Sequence, residues 1–121
     1  MSDHSDHYTF VTKVVGVSFQ NDDGSDRQAI IEQHVKPGKA LYLYHEPSEY
    51  SETAVSVYIS TGPRPDQIAQ IGHIADTTTQ KYNFWKRVAD GKVTGQVVDV
   101  VKGEGKTTGV IVGIITDDLA A

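Results

Sequence analysis

Consecutive β-branched residues near the C-terminal end constrain this chain most: Val97-Val98, Val100-Val101, and the run from Val110 to Ile115. A strand buried on one face alternates apolar and polar side chains, so doubled apolar positions indicate burial on both faces. A closed or partly closed sheet provides that. The bias extends along the chain, which holds 15 Val and 9 Ile against 3 Leu. Such side chains lose rotamer freedom in helices and pack well on pleated surfaces, so strands should dominate. A length of 121 residues suits one domain and is short for two.

The pattern predicts a first strand over about 9–19, with Val15, Val17 and Phe19 on one face. Asn21-Asp22-Asp23-Gly24 is a turn, and Ser25 with Gln28 has capping-box spacing for a helix over about 26–34, stopped by Pro37-Gly38. In the next strand Leu41 and Leu43 oppose Tyr42 and Tyr44; after a polar loop, Val55, Val57 and Ile59 share one side. Two prolines stiffen the turn 61–66, and Ile68 to Ile74 forms a strand interrupted by Gly72. A second helix, capped at Asp76 or Thr77–Thr79, places Tyr82, Trp85, Val88 and Ala89 on one face. Strands over about 92–102 and 108–116 flank the turn Gly103-Glu104-Gly105-Lys106. The order β-α-β-β-β-α-β-β predicts a mainly β (α+β) domain, a small six-stranded antiparallel OB-like barrel with two short helices. An open ferredoxin-like sheet is the alternative. The domain should occupy 9–116, with a disordered polar tail over 1–8 and a short tail over 117–121.

No apolar run approaches the roughly 18–20 residues that cross a bilayer, and the first residues are polar. The absence of cysteine excludes disulfides, Cys-type zinc sites and thiol catalysis. A soluble cytoplasmic protein without membrane contact is therefore expected, and no cofactor is indicated. The net charge of −5 argues against broad affinity for nucleic acid. Lys81, Lys86, Arg87, Lys92, Lys102 and Lys106 nevertheless concentrate positive charge in one stretch. Ser2-Asp3-His4 offers the nitrogen donors of a square-planar copper or nickel site once Met1 is removed, although a solvated tail explains it more simply. His34, His45 and His73 lie on separate elements, and no nucleophile elbow is present. Glu46, Glu49 and Glu52 share one loop and suggest a metal-dependent hydrolase as an alternative, with an exposed acidic loop as the plainer account.

Several segments in order resemble the HIRAN domain family: Val14-Val15-Gly16-Val17-Ser18-Phe19-Gln20-Asn21, the helix segment 23–31, His45-Glu46-Pro47 with Tyr50 and Ala54-Val55-Ser56-Val57, Ile71-Gly72-His73-Ile74, and Gly109-Val110. The chain resembles stand-alone bacterial members and the N-terminal module of helicase-like transcription factors, over about 12–116. The resemblance implies an OB-like barrel that binds single-stranded DNA and captures its 3′ end. It implies base stacking by Phe19 and Tyr50 and a backbone contact from His73. Ser18 stands where DNA-capturing members carry arginine, Ser51 where an aspartate accepts from the 3′-hydroxyl, Thr53 where asparagine is usual, and Asp76 where a lysine is found. Two cations are thus lost and an anion gained along a phosphate path, which weakens binding.

Packing roles compete with each of these assignments. Aromatic rings dominate small cores, so Phe19 and Tyr50 can serve as packing residues. Gly72 beside His73 permits close approach of a ligand. Tyr42 and Tyr44 resemble an aromatic platform, and packing under the second helix explains them as well. Lys81, Lys86 and Arg87 read as a solvated helix face or as steering charge, and Arg27 as a partner for Asp22, Asp23 or Glu46. The resulting expectation is a non-catalytic module for single-stranded DNA or its 3′ ends. A protein-interaction module that has lost its DNA contacts is the main alternative.

Overall fold

Six antiparallel strands form from the alternating segments: β1 (Phe10–Val15), β2 (Ala40–His45), β3 (Val55–Ser60), β4 (Ile68–Ile74), β5 (Val93–Lys102) and β6 (Thr108–Thr116). This computed structural model describes residues 8–102 and 107–116, the side chain of Tyr82 excepted. Residues 1–7 with His4, the turn 103–106 and the tail 117–121 lie outside the described residues. The strands close into a barrel in the order β1-β4-β3-β2-β5-β6. Val55, Val57, Ile59, Ile71, Val110, Val112 and Ile114 are fully buried inside it. The expected barrel is formed, and the open-sheet alternative is not.

The doubled valines have a partly different cause from the one expected. The β5–β6 register steps from Val97↔Val112 to Asp99↔Ile111, so Val97-Val98 marks a β-bulge that switches faces. Val101 is 50% exposed. In β6 the outward face is covered at Gly113, on which the Tyr8 ring lies, while Ile115 on the same face is exposed.

The first strand is shorter than its apolar pattern. Gly16, at φ 74, turns the chain out of the sheet after Val15, and the Phe19 amide then donates to the Gly16 carbonyl. Alternation through Val17 and Phe19 continues in sequence but not in the ladder. The β1–β4 pairing comprises Val14↔Ile74 and Val15↔His73. Beyond it, the segment after Gly16 borders β4, with Asn21 Nδ2 donating to the Gln70 carbonyl at 3.0 Å.

Helix α1 (Arg27–His34) is capped by Asp26, whose carboxylate accepts the Gln28 amide at 3.0 Å. The Ser25–Gln28 box is not formed: Ser25 is held by Asp23 through both its amide and its hydroxyl. Gln28 reaches the barrel instead. Its Nε2 donates to the carbonyls of Val17 and Thr108, and its Oε1 accepts the Thr108 amide at 2.7 Å. Ile31 is fully buried below it.

The second helix is broken into α2 (Asp76–Thr79), a 3-10 turn (Lys81–Asn83) and α3 (Phe84–Ala89). Asn83 is left-handed, at φ 55, a conformation asparagine tolerates better than most residues. The interruption lets α3 turn Phe84 into the core. There Phe84 meets Phe10 edge-on at 5.4 Å and is 1% exposed. Trp85 lies against His45 at 4.9 Å.

Candidate functional site

The turn at Gly16 brings three chemically distinct groups together. A Cβ on Gly16 would lie 3.2 Å from Arg27 Nη1, 3.4 Å from His73 Nδ1 and 3.5 Å from Phe19 Cδ2. Arg27 comes from the first turn of α1, His73 from β4 and Phe19 from the segment after β1. Arg27 ties that segment at both ends, donating through Nη1 to the Gly16 carbonyl at 2.9 Å and through Nε to Asn21 Oδ1 at 2.8 Å. Phe19 is 64% exposed, so its ring is not a core residue.

The loop after β2 begins with Glu46, whose charge acts on His73. Ser48 and Ser51 bond each other through their backbones, and the Ser48 hydroxyl accepts the Tyr50 amide, which leaves the Tyr50 ring 90% exposed. The Ser51 hydroxyl donates to Asp76 Oδ1 at 3.0 Å, joining this loop to the start of α2. Glu46 accepts the Tyr58 hydroxyl at 2.6 Å, and Tyr58 meets Tyr44 edge-on at 5.4 Å. Tyr42 and Tyr44 are exposed on the outer face of β2, not buried under the second helix.

Electrostatics set the state of the central groups. Arg27 is only 6% exposed and makes no ion pair among the described residues. The expected pairing with Asp22, Asp23 or Glu46 is thus replaced by uncharged oxygens. Burial pulls the guanidinium pKa down while Asp22 and Tyr58 oppose the shift, and the group stays a cation at neutral pH. His73 is pushed below its ordinary value, first by burial and then by Arg27, with Glu46 and Asp76 opposing. Burial and then the Glu46 bond push the Tyr58 hydroxyl pKa well up, so it remains a donor.

The other expected positions are distributed more widely. Ser18 is exposed and borders a groove of about 450 Å³ with Lys13, Val15, Val17, Val101 and Thr107. Lys81 and Lys86 are exposed and Arg87 half-buried on the helical segment; none of them is among the charges acting on His73. Glu46 is committed to Tyr58, and among the described residues no group of three His, Asp or Glu is placed to hold a metal. Gly72 is buried, and the backbone approaching it is β1 itself, through the Val15 carbonyl, not a ligand. The sequence reading passed over Gln70, Tyr58 and the structural role of Arg27. The signal available for Arg27 was its place directly after a cap residue, facing the sheet.

No protein-family model matches this chain. No curated protein matches it either. A structural-genomics crystal structure of a protein from Lactobacillus plantarum superposes with a TM-score of 0.60 at 20% identity, covering 89% of this chain and 94% of that one. This likeness concerns the fold. No helix among the described residues is long and apolar enough to cross a membrane.

Proposed function

We propose that the face around His73 binds single-stranded DNA, most tightly at a 3′ end, as a non-catalytic module of the HIRAN type. One observation carries the reading: the well-exposed Phe19 ring shares the turn at Gly16 with His73 and with a buried arginine that makes no ion pair among the described residues, and Tyr50 is a second well-exposed ring, on the loop that Ser51 ties to Asp76. Neither ring contributes to the core, and a ring held in water is a stacking surface for a base. Such stacking is worth about 1–3 kcal/mol per base. The charge of Arg27, which makes no ion pair among the described residues, favours a phosphate oxygen near His73.

The loss of the aspartate at position 51 is offset within the same site. Asp76 supplies a carboxylate 3.0 Å from the Ser51 hydroxyl, so an acceptor for a terminal hydroxyl comes from α2 instead of the loop. A protein-binding reading draws on a different observation. Glu46 and Asp76 both act on His73 while Tyr42 and Tyr44 are exposed nearby on β2, a combination that suits a cationic side chain.

Fluorescence anisotropy with a short labelled single strand, at low and moderate salt, separates the two. Phe19→Ala and Tyr50→Ala should each weaken binding by about fivefold to a hundredfold while leaving stability within roughly 0.5 kcal/mol. Blocking the 3′ end with phosphate should weaken binding to the wild type and matter less in Asp76→Ala. No binding at low salt refutes the DNA reading and leaves the protein partner.

A further inference from the structure

The imidazole of His73 has one side-chain partner among the described residues: its Nε2 lies 3.1 Å from Gln70 Nε2. The same amide nitrogen donates to the Gly72 carbonyl at 3.2 Å. Together these contacts determine where the proton sits. An amide NH₂ offers two hydrogens and no lone pair, so it donates to both neighbours. His73 Nε2 is then an acceptor, and the neutral ring carries its proton on Nδ1. Reversing the Gln70 amide would set its oxygen against the Gly72 carbonyl, leaving two acceptors facing each other in a half-buried site.

Nδ1 points towards Gly16, on the side occupied by the Arg27 guanidinium and the Phe19 ring. We infer that Gln70 is a positioning residue, holding His73 as the neutral Nδ1–H tautomer so that the site offers a fixed N–H donor to an acceptor oxygen. The charged groups facing His73 are Arg27 from α1, Glu46 at the end of β2 and Asp76 from α2. Both carboxylates favour the imidazolium. Burial and Arg27 oppose it, and Gln70 adds to the opposition because a protonated Nε2 would meet another donor. The consequence for binding rests on the function proposed above; the tautomer itself does not.

Nitrogen-15 NMR of the histidine rings in the ligand-free protein tests the assignment, with His73 identified by its absence in His73→Asn. The wild type should show a protonated Nδ1 and an unprotonated Nε2 at neutral pH. Gln70→Glu places an acceptor opposite Nε2 and should move the proton there, raising the titration midpoint. Gln70→Leu should give a mixture of tautomers. An Nε2–H ring in the wild type overturns the inference, as does a wild-type ring retained in both variants. If Gln70→Glu fails to fold, the wild type and Gln70→Leu decide.

A second measurement uses the labelled single strand. Wild-type affinity should be flat from about pH 8 down to the ordinary imidazole value of 6.5. In Gln70→Glu it should rise as pH falls towards the new midpoint, by up to about tenfold per unit. The expected tautomer without strand binding sustains the role of Gln70 and refutes only the DNA reading.

Discussion

Replacing Gly72 by alanine tests how the barrel is closed. A Cβ at this position runs into the Val15 carbonyl oxygen and comes within 2.6 Å of Val14 Cγ1. The nearer obstacle is backbone in a paired strand, so no rotamer relieves it. Overpacking of this kind costs about 1–3 kcal/mol when side chains can adjust. Here relief requires parting β1 from β4, whose pairing is Val14↔Ile74 and Val15↔His73, at roughly 1 kcal/mol for each hydrogen bond lost. The expected loss is about 2–5 kcal/mol, out of the roughly 5–15 typical of a domain. That corresponds to a fall in Tm of roughly 10–20 °C. Gly24→Ala is the control: Gly24 has φ 88 and nothing within 4 Å of its Cβ position, so it carries only the left-handed backbone cost of about 1–2 kcal/mol. Urea unfolding followed by Trp85 fluorescence compares the two. A Gly72→Ala loss no larger than that of Gly24→Ala would falsify the account of this seam.

Three further outcomes are expected. Gln28→Leu removes the partner of the Thr108 amide and of the Val17 and Thr108 carbonyls, and should lower stability by about 1–3 kcal/mol in urea unfolding; a change of a few tenths refutes the link between helix and barrel. Arg27→Met keeps apolar bulk but releases Gly16 and Asn21 and removes one of the influences lowering the His73 pKa, so the His73 midpoint in an NMR titration should move up. Because His73 titrates below its ordinary value in the folded chain, its contribution to stability is complete above about pH 6.5 and declines as pH falls through the folded value. Urea midpoints at about pH 7.5 and 5.5 should therefore differ more in the wild type than in His73→Asn.

Strand positions were legible because each depends on a local alternation, as in Leu41 and Leu43 or Val55, Val57 and Ile59. Barrel closure was reached by an argument that holds in β6 only around Gly113 and fails at β5, where a bulge explains the doubled valines. The end of β1 was misplaced because side-chain alternation continues past Gly16 while the backbone does not; a glycine inside an apolar pattern was the available warning. At α1, Asp26 displaced Ser25 as cap because Ser25 had a nearer partner in Asp23 and Gln28 a more distant one in Thr108. The site was read in part. Phe19 and His73 were named and both border Gly16, and Tyr50 is exposed as a loop aromatic should be. Arg27 and Gln70 escaped because their roles depend on carbonyls brought close by the completed fold, and no local spacing encodes that.

The pairing of β1 with β6 also governs when this molecule can form. Phe10–Lys13 lie against Ile111–Ile114, and Thr9 bonds Thr116 across 107 positions. β1, made before the other five strands, has its longest ladder with β6, made after them. Until β6 is made, the sheet β1-β4-β3-β2-β5 stays open between β1 and β5, and the barrel cannot close. Ordering the ends only after the whole intervening chain is available is a slow, non-local closure. The nascent domain therefore presents a β edge during that interval, where chaperone contact or premature strand pairing would act.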